Sequence, residues 1–504
     1  MKRGKKLICI FGLLALLAGC TSEAEPIGTE TTAATTEEVP QLTEIESSAT
    51  ITEIFYTNKL TDSAADPFIL EHDGTYYLYS TGGSQFSVRT SKDLVNWQKQ
   101  NEPVLKLANL GWAKDNGWAP EVYEYNGKFY FIFSARGYNG IYSIDIAVSD
   151  TPNGTFKPLQ LGKPFFSPEF SVIDASLFFD DDGRIYMYYS KDNSTNYVDG
   201  KRTSQTWGVE LKTDFSGIIG EPVLISTPVQ SWELKSGSVV WNEGPVVFKE
   251  NGTYYLLYSA NYYTTEHYSV GYATSDSPLK MFEKSNNCRI LSGNGETVTG
   301  PGHCNILRSP DGTEMYIVYH VHTVPPTVEK GRSLAIDRLV IKDDGTLAVD
   351  GPSETRRLLP SGLGGYYHLH NGFSYSASGE KAEFPSKSKI ENLFDGICKG
   401  SIDGVFSLGD GGTVEIKLDA PQNVVSVWIY PSTNEEYMPA KVDVEINGSY
   451  VIKDCMFRGA IGNPTIANLG NLPEGTAVES IKITVYTAEG CEYAALSEVI
   501  LVTK

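Results

Sequence analysis

The sequence predicts an all-β fold, a five-bladed β-propeller followed by a β-sandwich (jelly-roll) domain, from three observations. One hairpin phrase recurs five times, its spacing suits one propeller blade, and the C-terminal part of the chain alternates apolar and polar residues with a period of two. The phrase begins as Asp73-Gly74-Thr75-Tyr76-Tyr77-Leu78-Tyr79-Ser80 and returns at 126–134, 182–190, 251–259 and 311–319. Each copy reads as a two-residue Asn-Gly or Asp-Gly turn, with glycine supplying the left-handed conformation, running into an aromatic and β-branched strand. Gly74, Gly127, Gly183, Gly252 and Gly312 are separated by 53, 56, 69 and 60 residues, room for four short strands and their loops.

The chain opens on Lys2, Arg3, Lys5 and Lys6 and an apolar run from Leu7 to Leu17, too short to span a bilayer as a helix. Leu17-Ala18-Gly19-Cys20 resembles a bacterial lipobox. That resemblance implies cleavage of a 1–20 signal peptide and a lipid on Cys20, tethering the mature protein outside the cytoplasmic membrane. Residues 21–52 are rich in Thr, Glu and Ala without aromatics and read as a flexible linker. The propeller occupies 53–361, and Gly362, Gly364 and Gly365 mark a composition break. The sandwich, 371–504, carries the alternating sets Val414, Ile416, Leu418; Val425, Val427, Ile429; Val442, Val444, Ile446; and Ile481, Ile483, Val485.

The formal net charge is −21, and without the leader's four cations it becomes about −25. So acidic a chain is a poor partner for nucleic acid or anionic lipid, whereas neutral substrates remain open. Beyond Cys9 and Cys20, the cysteines are Cys288, Cys304, Cys398, Cys455 and Cys491, an odd set without C-x-x-C spacing. Neither a disulfide framework nor a zinc site is indicated. A monomer is expected.

Upstream of the hairpins the chemistry-bearing residues line up. Trp118, Asp174, Glu243 and His303 each lie nine residues before a hairpin glycine, and Asp66 lies eight before the first. The innermost strand of each blade lines the central channel, so these residues should converge in one funnel with Glu121 beside them. Carboxylates on inward strands are costly unless hydrated, paired or catalytic.

Ala65-Asp66-Pro67, Trp118-Ala119-Pro120-Glu121, Ile173-Asp174-Ala175-Ser176, Glu243-Gly244-Pro245, Gly300-Pro301-Gly302-His303 and Gly331-Arg332-Ser333 resemble, in order, the motifs of glycoside hydrolase family 43. The resemblance implies that Asp66 is the catalytic base, Glu243 the catalytic acid and Asp174 the residue that tunes and orients the acid. It places Trp118 and Arg332 in the terminal sugar subsite and His303 beside a cation, calcium, or a water at the channel centre. Inverting hydrolysis needs an ionised carboxylate to activate water and a protonated one, roughly 6.5–9.5 Å away, to protonate the leaving oxygen. A negative Asp174 near Glu243 would raise its pKa by like-charge repulsion.

The implied function is inverting hydrolysis of arabinofuranosyl or xylosyl linkages in plant-type glycans: arabinan, arabinoxylan or derived oligosaccharides. An endo-acting arabinanase and a non-catalytic surface glycan-binding lipoprotein are the alternatives. Glu391-Asn392-Leu393-Phe394-Asp395-Gly396 and Leu496-Ser497-Glu498-Val499 resemble discoidin-like, galactose-binding jelly rolls, although Ser401-Ile402-Asp403-Gly404 stands where a tryptophan is common. The C-terminal domain is therefore expected either to bind carbohydrate or to act as a spacer.

Overall fold

The computed structural model describes residues 41–48, 54–381, 388–401 and 403–504. The expected leader with Cys20, and all of the expected linker except 41–48, lie outside them. Among the described residues no helix is long and apolar enough to cross a membrane.

Five four-stranded antiparallel meanders follow one another along the chain. Blade 1 is Phe68–His72, Thr75–Tyr79, Val88–Ser91 and Gln98–Lys99. Blade 2 is Ala113–Tyr125, Lys128–Gly137, Tyr142–Ser149 and Lys157–Pro158. Blade 3 is Val172–Phe179, Ile185–Lys191, Gln205–Leu211 and Ile218–Ser226. Blade 4 is Asn242–Glu250, Thr253–Ala260, Ser269–Ser275 and Arg289–Ser292. Blade 5 is Gly302–Arg308, Met315–Val324, Thr327–Ile341 and Leu347–Val349.

The aromatic density of the repeated phrase has a packing cause. Each second strand is sandwiched between two neighbouring blades, and successive side chains leave opposite faces. Tyr254, Leu256 and Tyr258 face the core shared with blade 3, while Tyr255 and Leu257 face the core shared with blade 5. Such cores join every neighbouring pair of blades, including the last to the first, where Tyr76 and Leu78 meet Tyr316 and Val318. Removing a buried leucine such as Leu257 would cost about 2–5 kcal/mol. The ring closes where Phe55–Tyr56 pairs with Arg357–Leu358 and the backbone of Leu60 and Thr61 pairs with Leu334 of blade 5.

In blades 1, 2 and 4 the first two strands are joined by two residues, as expected. Blades 3 and 5 differ, with Asp180–Arg184 and Ser309–Glu314 forming longer connections. In blade 3 the extra residues are held by Asp180, whose carboxylate accepts from the Lys249 ammonium at 2.8 Å and the Tyr254 hydroxyl at 2.6 Å.

The C-terminal unit is a β-sandwich built around Phe406–Gln422, a 17-residue strand that changes layer along its length. Its first half pairs with Tyr493–Thr503 (Phe406 opposite Leu496), its second half with Val478–Thr487 (Val414 opposite Ile483). The expected alternating residues fill one core, except Val425. A register shift between Val424 and Ser426 turns Val424 inward in its place. The two short motifs meet: the Gly396 amide donates to the buried Glu498 carboxyl at 3.1 Å. Within the expected linker, Thr43–Glu44 forms a strand parallel to Tyr450–Met456, and Ile45 packs on the sandwich core, so this stretch belongs to the sandwich. Sandwich and propeller share an apolar seam, with Ile54 and Leu358 against Trp428, Tyr430 and Ile500.

Candidate active site

One backbone device positions the site residues. Each blade carries a residue in the left-handed region at its inner strand, within the strand at Ala119 (φ 44°), Asp174 (φ 56°), Gly244 (φ 57°) and His303 (φ 48°) and just before it at Asp66 (φ 52°). The ladders shift register at these points in blades 2, 3, 4 and 5. Bulges of this kind re-aim a side chain. The structurally equivalent positions are thus Ala119 and Gly244 rather than Trp118 and Glu243, which stand one residue earlier. Counting back from the hairpin glycine misaligned them because the blade 3 and blade 5 connections are longer. At Gly244 a side chain would be strained by φ and would lie 3.1 Å from the His303 ring.

Each interrupted strand is tied to the blade before it. The Ala119 amide donates to Thr81 Oγ1 (2.9 Å), Asp174 to Ser134 Oγ (3.4 Å), His303 to Ser259 Oγ (2.8 Å) and Asp66 to His320 Nδ1 (3.2 Å). In blade 4 the Gly244 amide donates instead to Asp174 Oδ2 at 3.3 Å. The acceptors come from the ends of the hairpin phrases, where Ser134 and Ser259 stand and His320 takes the serine's place in the fifth copy.

The carboxyls are pushed apart electrically. Burial alone would raise Asp66, but the Arg332 guanidinium 2.6 Å away, His303, His320 and the Thr81 hydroxyl together hold it well below the usual carboxylate range. Burial pushes Glu243 well up, Asp174 adds to the rise, and the Tyr268 hydroxyl donates to it at 3.0 Å. Asp174 is pushed up to about 6 by burial, with His303 opposing and Asp66 reinforcing the shift. Since Asp174 also accepts the Gly244 amide, it is the partner that ionises first and Glu243 the one that keeps its proton. Asp66 and Glu243 stand on blades 1 and 4, which are not neighbours in the ring, whereas Asp174 and Glu243 stand on adjacent blades.

Asp66, Trp118, Asp174, Glu243, His303 and Arg332 all line one cavity of about 670 Å³. Trp118 is backed by Tyr142, stacked at 4.7 Å. Arg332 lies over the Tyr263 ring at 4.8 Å, and its closest charged partner is Asp66. Glu121 does not reach the cavity. It is buried behind Asp174, held by Tyr123 and Ser176, and burial raises it to about 8, so that it is neutral at pH 7. The arrangement offers an ionised carboxylate and a protonated one across a sugar-sized hollow, the requirement for acid–base glycoside hydrolysis.

The sequence pattern described as Glycosyl hydrolases family 43 matches residues 57–347. The chain belongs to this family. It is 30% identical over 302 residues to a β-D-galactofuranosidase of Aspergillus niger, covering 56% of this chain and 81% of that protein. To an extracellular exo-α-(1→5)-L-arabinofuranosidase of Streptomyces chartreusis it is 29% identical over 279 residues, covering 53% and 82%. A crystal structure of a thermostable family-43 glycoside hydrolase superposes with a TM-score of 0.57 at 40% identity, covering 60% of this chain and 99% of that one. The protein is a glycoside hydrolase.

The family-43 motifs pointed to the carboxylates and to Arg332, which pairs with Asp66, but not to the other groups that hold them. Tyr268, which donates to Glu243, and His320, which contacts Asp66, fall outside those motifs. Around His303 no three metal-binding side chains converge among the described residues, and its Nδ1 lies 3.6 Å from Asp66 Oδ1. That donor set fits a cation held mainly by water, since calcium prefers six to eight oxygens. Glu314, His368 and His370 do converge, at the seam with the sandwich. There Arg338 Nη2 faces His370 Nδ1 at 3.4 Å, and His370 Nε2 and His368 Nδ1 lie 3.3 and 2.8 Å from Glu314 Oε1. This cluster is a hydrogen-bonded clamp.

Proposed function

We propose that this glycoside hydrolase releases arabinofuranosyl or xylosyl units from plant cell-wall glycans such as arabinan, arabinoxylan or their oligosaccharides, with inversion. Asp66 is the base, Glu243 the acid, Asp174 the group that keeps Glu243 protonated, and Trp118 with Arg332 bounds the glycone. The observation that carries the reading is the opposite electrostatic setting of Asp66 and Glu243 on one cavity.

In the reaction Asp66 takes a proton from water as its oxygen attacks the anomeric carbon. Glu243 gives its proton to the departing oxygen as the C–O bond breaks. Glu243→Gln and Asp66→Asn should each lower turnover at least about 1,000-fold with the fold retained, since each alters proton chemistry at nearly constant volume, while Asp66→Asn also gives up the ion pair with Arg332 and should lower the melting temperature. Product analysis on arabinan, arabinoxylan and aryl pentosides, with the product's anomeric form read by NMR, tests substrate and stereochemistry. Substantial turnover by either variant with an unshifted pH profile would sink the assignment.

The proposal includes a monomer tethered outside the cell by a lipid on Cys20, so that Cys20→Ala should abolish labelling by a fatty-acid probe. It also includes a hydrated calcium beside His303. Chelation should then lower activity or melting temperature, with calcium restoring it better than magnesium. Full activity and stability after exhaustive chelation would remove calcium from the proposal.

A further inference from the structure

Asp66, Trp118 and Arg332 belong to blades 1, 2 and 5, and Glu243 to blade 4. A sugar held against the first three leaves its glycosidic oxygen, and whatever that oxygen carries, on the blade 4 side. That wall is aromatic. Trp241 stacks on Tyr262 with ring centroids 5.1 Å apart and planes 16° from parallel, and both line the cavity. Trp241 precedes Glu243 by two residues on an extended segment, so both side chains leave the same face.

The residue between them points the other way. Asn242 is fully buried; its Oδ1 accepts from the Lys284 ammonium at 2.7 Å and Ser226 at 2.9 Å, and its Nδ2 donates to Glu233 at 3.2 Å. Lys284 and Glu233 are themselves a buried pair at 2.6 Å. This network fixes the segment carrying both the indole and the acid, so their relative placement is rigid.

Tyr262 is 40% exposed although stacked, and the next residue, Tyr263, lies against Arg332. One loop thus sends adjacent tyrosines to the two halves of the cavity. Polar groups flank the platform. Arg202 pairs in register with Val239, close to Trp241, and its guanidinium is held by the Asn193 side chain at 2.9 Å. Lys235 and Ser236 line the same wall. An open aromatic face bordered by a few fixed donors is the chemistry that recognises a sugar ring, with C–H groups on the rings and hydroxyls at the rim.

We propose that Trp241 and Tyr262 form the platform for the leaving-group sugar, so that the enzyme selects linkages whose departing alcohol is itself a sugar ring. The inference rests on Glu243 being the acid, because the platform is defined by its place beside that carboxyl.

The test compares Trp241→Ala, Trp241→Phe and Tyr262→Ala on a disaccharide (1,5-arabinobiose or 1,4-xylobiose) and on the matching methyl pentoside, whose leaving group needs the acid but has no ring. Trp241→Ala should lower kcat/KM on the disaccharide about 10- to 100-fold, mainly through KM, and leave the methyl pentoside within about twofold. Tyr262→Ala should act in the same direction more weakly, and Trp241→Phe should retain most activity. Equal losses on both substrates would overturn the inference, because Trp241 would then only be positioning Glu243. Unchanged disaccharide kinetics in both alanine variants would overturn it as well. If the unmodified enzyme cleaved neither substrate, the proposed pentoside substrate would fail first and the platform, defined by that leaving group, with it.

Discussion

Replacing Asp174 by asparagine keeps its volume and an oxygen for the Gly244 amide but removes a negative charge beside Glu243. In the proposed role of acid Glu243 must be protonated to work, and without that charge it ionises more easily. The basic limb of the pH–rate profile should therefore move about one unit toward acid, with the acidic limb, set by Asp66, nearly still. A fixed basic limb with lower activity throughout would make Asp174 a substrate contact instead of a tuner. At this scale the sequence was legible where a motif carries chemistry: all six expected residues line the cavity. It was illegible where a residue works through a partner. Nothing in Gly331-Arg332-Ser333 says that the guanidinium pairs with Asp66 from the opposite end of the propeller, because that contact exists only once the ring has closed.

Between blades, the hydroxyls at the ends of the hairpin strands offer a matched set of substitutions. Ser134 and Ser259 accept from the left-handed residues Asp174 and His303, whereas Ser190 Oγ is buried with no partner among the described residues. Removing an acceptor from a buried amide costs the desolvation of that amide, while removing an unpartnered hydroxyl does not. Ser134→Ala and Ser259→Ala should each lose about 1–2 kcal/mol of stability together with activity, and Ser190→Ala should be neutral in both, read by melting temperature and kcat. Equal losses for all three would show that the serines fill space without tying the blades. The repeat was legible because its aromatic strands are buried on both sides, which forces a composition that water-facing strands lack. Its register was not, because hairpin connections of unequal length displace the bulge relative to the turn glycine, as at Asp174 and His303.

A propeller's stability depends on how its ends are joined, and here the join buries a carboxyl. Asp337 of blade 5 is fully buried; it accepts from Tyr319 at 2.7 Å, from the Ser353 amide at 3.0 Å and from Asn58, in the closing segment, at 3.3 Å. All three reach Oδ2, leaving Oδ1 without a partner among the described residues. Burial raises the group to about 6, with Asp350 adding to the shift and the Ser353 and Tyr319 hydrogen bonds opposing it. The sign follows from linkage. A carboxyl whose folded pKa lies above its unfolded value holds its proton more tightly when folded, so its contribution is intact below about pH 4 and is lost as pH rises through 6. Above pH 7 the folded protein carries an ionised, half-satisfied carboxylate in its closure at a cost of about 2–3 kcal/mol. Asp337→Asn keeps an acceptor for the three donors and removes the charge. It should raise the melting temperature by a few degrees at pH 8, with the advantage shrinking to nothing near pH 4. A variant destabilised equally at both pH values would show that the ionised carboxylate is the form the closure needs.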